Sequence, residues 1–263
     1  MRSQNTPAFT QQFKRYRPLI RELVTRDLKI KYRRSFLGYV WSLLNPLLMM
    51  TIMSIVFSYM FRFSIPNYPL YLICGQTLWS FFSESTGAAM TSVILNGPLI
   101  RKVYIPKYIF PMSRVVSSFV TMSFSLAAIL IVMLATGVRL SWYLLLFPIP
   151  LITLLLFCMG LGMVLAALAV YFRDVLHLYD VMILAWMYLT PIFYPISALP
   201  ERVAWLIRLN PLYHYVTFFR EVVLSGVFPE MHLWIGCIGY SILTMAFGLF
   251  VFQMLQRNFI LYL

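Results

Sequence analysis

Charge is what this sequence has least of. Only 11% of its 263 residues are Asp, Glu, Lys or Arg, against about 25% in an ordinary soluble domain. Just 8 are acidic. The three cysteines, Cys74, Cys158 and Cys237, are odd in number, far apart and set in apolar runs. That excludes a secreted disulfide scaffold. The three histidines, His177, His214 and His232, stand alone, and no Cys/His cluster has zinc-ligand spacing. No G-x-x-x-x-G-K-[ST] stretch occurs, so the chain has no Walker-type nucleotide site of its own. H-E-x-x-H and G-x-S-x-G are also missing, and with them any support for zinc-protease or hydrolase-elbow chemistry. No paired acidic motif suggests a metal-dependent lipid transferase. Asn5-Thr6-Pro7 fails as a glycosylation sequon, and there is no internal repeat. No catalysis, metal or cofactor is expected in this chain.

What it has instead is apolar surface. The hydrophobic fraction is 61% and the mean hydropathy +0.81. A soluble domain of this size cannot bury that much, so a bilayer is the expected solvent. Disorder is excluded on the same ground. The net charge of +13 would suggest nucleic acid in a soluble protein. Here ten of the 21 basic residues lie between Arg2 and Arg34, beside the first apolar stretch. Topology and anionic lipid headgroups explain that cluster, so no nucleic-acid partner is expected. About forty residues precede the first apolar stretch and no small-residue cleavage site follows it, so no signal peptide is expected.

Gaps between charged residues predict the fold class, an all-α membrane protein. Residues 35–61, 63–83, 115–138, 140–172, 181–200 and 231–256 carry no charge. Each is long enough for a helix to cross a core about 30 Å thick. Six transmembrane helices are expected, at 40–61, 70–94, 114–136, 147–170, 178–196 and 232–254. Pro148 and Pro150 mark the fourth entrance, after an interfacial Trp142-Tyr143 pair. An even number places both termini on one side. With that side inside, sixteen basic residues are cytoplasmic and five (Arg62, Arg139, Arg202, Arg208, Arg220) are external, which orients both termini to the cytoplasm.

Three segments do not span. In residues 8–35, Phe9, Phe13, Tyr16, Ile20 and Leu23 share one helical face. Pro18 either breaks this helix or begins its main part. Such a helix lies on an anionic leaflet or docks on a soluble partner; the pattern alone favours the leaflet. In the loop 96–113, Asn96-Gly97-Pro98 stops a helix, and Leu99–Tyr104 forms a short one closed by Pro106. That short helix is a connector or a lever against a cytosolic partner. Residues 197–230 are too apolar for a solvated loop. Val203–Leu209 and Tyr213–Leu224 read as helices joined by Asn210-Pro211, in a re-entrant external hairpin.

Glu84 falls within the second span and Asp180 near the start of the fifth. Buried charge needs a partner or a wet cavity. Glu84 is either part of a transport path or a hydrogen-bonding acid between helices; Asp180 belongs to the interface. The chain holds 22 Phe, 17 Tyr and 6 Trp. Tyr59, Tyr71, Trp79, Phe82, Trp186, Tyr188, Phe193 and Tyr194 are candidates to stack on sugar rings along a channel, although core or lipid packing is the commoner role for any one of them. Gly160, Gly162, Ala166 and Ala169 allow a close helix approach.

Three stretches together resemble the membrane subunit of type 2 ABC exporters for polysaccharides, which carry O-antigen, capsule or wall teichoic acid. The first runs from Asp27 through Lys31-Tyr32-Arg33-Arg34-Ser35-Phe36-Leu37-Gly38 to Asn45-Pro46. The second is Tyr171-Phe172-Arg173-Asp174-Val175 with Leu189-Thr190-Pro191-Ile192-Phe193-Tyr194-Pro195. The third is Leu209-Asn210-Pro211-Leu212, continuing to Phe219-Arg220-Glu221 and Gly226. The resemblance covers essentially the whole chain as a single transmembrane domain, 1–263. It implies a bacterial inner or plasma membrane permease pairing with a second copy of itself and two ABC ATPase subunits. Those subunits would bind ATP and Mg. It implies that residues 8–35, with Asp27, Lys31, Arg33 and Arg34, meet the ATPase. Leu99, Ile100, Arg101, Lys102 and Tyr104 would form the coupling helix within the loop 96–106, and Arg173 and Asp174 a second contact. The hairpin 197–230, with Asn210, Pro211, Tyr213, Arg220 and Glu221, would gate the exit. A lipid-linked polymer would be the substrate, and no extra carbohydrate-recognition domain is expected. A drug or ion exporter of the same topology, a membrane enzyme on lipid-linked sugars and a passive channel or carrier are the alternatives. The last two lack, respectively, an acidic or nucleophilic cluster and repeat symmetry.

Overall fold

The structure is a computed structural model and describes residues 9–32, 37–61, 65–138 and 140–262. Among them the protein is all-helical. Helix α1 (Phe9–Tyr32) passes through Pro18 without a break. Pro18 lies on an exposed face, where losing one intrahelical amide costs least. A single 3-10 turn at Gly38–Val40 leads into α2 (Trp41–Phe61). Helix α3 (Tyr68–Leu95) ends one residue before α4 (Gly97–Lys102) begins. Pro98 holds the start of α4, and Val103 turns extended beyond it. Helix α5 (Ile109–Ala135) returns alongside α3. A 3-10 turn, Trp142–Leu146, precedes α6 (Pro148–Tyr171). Then follow α7 (Val175–Tyr188), α8 (Glu201–Arg208), α9 (Pro211–Arg220), α10 (Met231–Leu255) and the short α11 (Phe259–Tyr262).

Four stretches are long and apolar enough to cross a membrane: Gly38–Phe57, Ile109–Ala135, Trp142–Tyr171 and Met231–Asn258. Two expected spans differ. Helix α3 is about 42 Å long at 1.5 Å per residue, yet Gln76, Ser80, Ser83 and Glu84 make it too polar to join the four. Helix α7 is apolar but only 14 residues long. The expected 178–196 stops being helical at Tyr188 because Pro191 and Pro195 exclude helix around them. The external helices also shift. The second ends at Arg220, and a π turn, Glu221–Ser225, carries the chain to Gly226. There φ is +62°, a conformation that favours glycine.

Helix α6 lies at the centre of the core, packed on α3 on one side and α10 on the other, with α5 against both α3 and α6 and α9 inserted against α3, α6 and α10. The small-residue stripe of α6 serves two neighbours. A Cβ on Gly160 would run into the backbone of Thr244 on α10, whereas one on Gly162 would meet Ala89 on α3, 2.8 Å away. Buried polar groups are tied in pairs. Tyr215 on α9 bonds to Ser241 at 2.8 Å, and Ser241 donates to the Thr153 carbonyl at 2.7 Å. On α10, Ile235, Ile242, Leu243, Phe250 and Met254 remain exposed. That is a stripe suited to lipid.

Candidate coupling face and polar cavity

Helix α1 is joined to the bundle along one line. Leu23, Asp27 and Lys31 are four residues apart and so share a face. Leu23 is buried in a cluster with Val93, Ile100, Ile109 and Phe110. Asp27, its side chain 7% exposed, lies 3.1 Å from the Arg114 guanidinium of α5. The Lys31 ammonium donates to Glu84 Oε1 of α3 at 2.7 Å, and the Ser118 hydroxyl of α5 donates to the same oxygen at 3.4 Å. On α5 the facing positions Phe110, Arg114 and Ser118 are also four apart. Helix α1 therefore runs in register with α5, held by one apolar contact and the Asp27–Arg114 pair, while Lys31 ties it to Glu84 of α3. Asp27 and Lys31, expected to meet a partner, are both engaged in ion pairs within the chain, Asp27 buried and Lys31 with its side chain 42% exposed. Arg33 and Arg34 lie outside the described residues.

Below Glu84, α3 continues for eleven residues, about 16 Å, to the turn that carries α4. Ile100 is buried there and Leu99 half-buried, while Arg101 and Lys102 are exposed and Tyr104 is 94% exposed. Amphipathic α4 is thus anchored by its apolar side and presents Arg101 and Lys102 outward. The short helix expected at Leu99–Tyr104 instead begins at Gly97 and ends at Lys102, because Pro98 fits a first helical turn, and Tyr104 lies in the extended chain beyond it. Arg173 and Asp174, between α6 and α7, are exposed as well. Lys107 clasps the start of α5 to the end of α10, donating to the Gln256 carbonyl at 2.6 Å. Burial pushes its ammonium pKa down.

Above the Lys31–Glu84 pair a cavity of about 240 Å³ opens between α2, α3 and α5. Ser42 and Asn45 line it from α2, Gln76, Thr77, Ser80 and Glu84 from α3, and Ser118, Thr121 and Ser125 from α5. Trp41, Phe81 and Met122 supply its apolar wall. Both members of the ion pair line it and are about half exposed, 42% for Lys31 and 47% for Glu84, so Glu84 is a paired carboxylate rather than a lone charge in hydrocarbon. Sequence reading singled out Glu84 alone. The signal for the rest was present: 76, 80 and 84 on α3, and 118, 121 and 125 on α5, are polar positions at helical spacing.

The candidate channel aromatics go to three places. Trp79 and Phe82 are core, and Phe82 packs on Trp186 with centroids 5.0 Å apart. Four others hold the irregular segment after α7. The Tyr71 hydroxyl donates to the Tyr194 carbonyl at 2.8 Å, and the Tyr194 hydroxyl to the Tyr188 carbonyl at 2.6 Å. Phe193 stacks on Phe57 at 5.3 Å. Trp186 donates to Asn210 Oδ1 at 2.8 Å. Tyr188 keeps an exposed ring. The side chain of Tyr59 lies outside the described residues.

The candidate gate residues complete this clasp. Asn210 caps α9 by accepting from the Leu212 amide at 3.0 Å, and its amide nitrogen donates to Thr190 Oγ1 at 2.9 Å. Pro211 occupies the first position of α9, Tyr213 is buried and Glu221 opens the π turn. Arg220 is buried. Its guanidinium donates to the carbonyls of Tyr71 (3.1 and 3.0 Å), Pro191 (2.6 Å) and Ile192 (2.8 Å). It also lies 3.4 Å from the Tyr71 ring centroid. Gly75 leaves the room, since any Cβ there would overlap the guanidinium.

Long apolar helices with lipid-facing stripes, and an amphipathic helix anchored beside them, define a multi-pass membrane protein. The chain belongs to the ABC-2 type transporter family, whose model matches residues 18–224. It is similar to the O-antigen export system permease protein RfbA of Klebsiella pneumoniae, 33% identical over 241 residues, 90% of this chain and 92% of that one. The RfbA of Myxococcus xanthus is 30% identical over 246 residues, 93% and 95% of the two chains. The polysialic acid transport protein KpsM of Escherichia coli is 20% identical over 250 residues, covering 89% and 92%.

Proposed function

We propose that this protein is the permease subunit of an ATP-driven exporter. It moves a lipid-linked polysaccharide from the cytoplasmic to the outer side of a bacterial inner membrane. The similarity to O-antigen export permeases over nine-tenths of the chain carries the substrate class. The geometry supports a motor-driven permease. Helix α1 and the α4 prong present one end of the bundle to a partner, and α1 is pinned to α3 and α5, so displacement of α1 moves both. Two copies of this chain and two ABC ATPase subunits form the working assembly, with ATP and Mg on the ATPase. Arg101, Lys102, Tyr104, Arg173 and Asp174 are its contacts to that motor. The chain crosses the bilayer six times, with α3 and α7 completing the count, and both termini are cytoplasmic. Helices α8 and α9 form the external re-entrant hairpin. It stays in place in an apolar medium because Asn210 and Arg220 satisfy its backbone and that of 189–192.

Depletion of the protein, followed by analysis of lipid-linked glycans in the cytosolic leaflet, tests this. Accumulation of one polymer on its lipid carrier, with loss of that polymer from the surface, is expected and names the substrate. An unchanged lipid-linked pool with normal surface polymer would overturn the polysaccharide assignment in favour of a smaller cargo.

A further inference from the structure

We infer that the cavity between α2, α3 and α5 is a subsite for the sugar hydroxyls of the exported glycan, which rests on the export function proposed above. Three observations carry it. First, its lining carries both kinds of hydrogen-bonding group. Asn45 and Gln76 each offer an amide donor and acceptor, Ser80 and Thr121 offer hydroxyls, and the Trp41 and Phe81 rings stand beside them. A sugar ring, with hydroxyls around its rim and apolar C–H faces, asks for that mixture. Second, two lining groups have unmet hydrogen-bonding capacity. Thr77 is only 4% exposed and its hydroxyl has no partner, and Gln76 Oε1 is likewise buried and unpaired. Buried polar atoms are normally satisfied, so a small shift of the lining, such as an amide flip of Gln76, turns this unmet capacity toward a ligand or water in the cavity. Third, the charges cancel. Lys31 and Glu84 face the cavity and already pair at 2.7 Å. Among the described residues a diphosphate would meet Glu84 with no surplus cation, which disfavours the anionic linker of a lipid-linked substrate. A zwitterionic lipid headgroup would have to break the existing pair.

Size and place agree. The volume of about 240 Å³ falls below the roughly 300–1,000 Å³ of drug-sized ligand sites and suits one sugar ring rather than several. The cavity lining includes Lys31, the residue through which α1 grips α3. Movement of α1 against the bundle therefore opens or closes the subsite, which gives the motor a way to release a held sugar.

The test is photocrosslinking in cells that make the surface polymer, with p-benzoylphenylalanine replacing Ser80 or, separately, Asn45. The control probe replaces Leu134, an exposed residue of α5 outside the cavity. After irradiation the purified protein is stained for glycan and analysed by mass spectrometry. Glycan adducts at Ser80 and Asn45, about five-fold above the Leu134 probe, are expected. Adding Gln76→Leu should cut the Ser80 yield about five-fold, which is close to 1 kcal/mol, the scale of one hydrogen bond. A phospholipid adduct alone would reassign the cavity to a headgroup. Equal glycan labelling at all three positions, or none at any, would overturn the subsite. Blocked export does not spoil the readout, because the lipid-linked polymer then accumulates beside the protein. The export proposal itself fails separately, if deletion of the gene leaves both surface polymer and the lipid-linked pool unchanged.

Discussion

Replacing Arg220 with Leu should loosen α9 and the segment that follows α7 together. The guanidinium is buried and donates to three carbonyls, of Tyr71, Pro191 and Ile192. The Tyr71 carbonyl keeps its helical partner within α3, so the Pro191 and Ile192 carbonyls are left unpaired at about 1–3 kcal/mol each, and the cation–π contact with Tyr71 is lost as well. Leucine recovers part of that through apolar burial, so the net loss should be about 4 kcal/mol. At roughly 2–4 °C per kcal/mol for a chain of this size, the melting temperature should fall by about 8–16 °C. The molecule supplies its own reporter. Cys74, Cys158 and Cys237 are all buried, so a thiol-reactive dye lights up only as the bundle opens. Arg220→Lys should recover about half of the loss, because an ammonium lacks the planar fork that spans the three carbonyls. A shift below about 2 °C for Arg220→Leu, or a Lys variant melting like the wild type, would refute the account.

Charge reversal tests the Lys31–Glu84 grip. Lys31→Glu or Glu84→Lys alone should reduce surface polymer several-fold. The swapped pair should restore much of it; a swap no better than either single change would mean that α1 does not act through this contact. Gly160→Val should force α6 away from the Thr244 backbone of α10 and cost about 3 kcal/mol or more; an unchanged melting temperature would contradict that packing. Reversing Arg101 and Lys102 to Glu should leave the melting temperature unchanged, since both are exposed, while abolishing ATP-driven export. Normal export by that double variant would remove α4 from the coupling surface.

Helices were legible wherever a local rule decides them. Charge-free runs mark α2, α5, α6 and α10 because a long apolar stretch is soluble only in lipid or in a core. Asn96-Gly97-Pro98 marks the end of α3 because it cannot propagate a helix. The same arithmetic overran α7, since a charge-free gap says nothing of where prolines stop the hydrogen-bond ladder. Aromatics were the least legible. Trp79 and Tyr71 look alike in the sequence, but one packs in the core and the other holds Tyr194 and Arg220. Asp27 likewise reads as a surface acid on a basic helix, and only the approach of α5 shows that it meets Arg114.

By itself the sequence determined that this is a helical membrane protein, with a basic amphipathic helix ahead of its first apolar stretch. Composition and short-range periodicity are properties of the chain before it folds. Tertiary structure alone decided which charges neutralise each other, which hydroxyls share a cavity and which arginine ties α9 to α3. Those facts join residues separated by 53, 87 and 149 positions. Distances across a fold are set by how helices pack, and no local pattern encodes them.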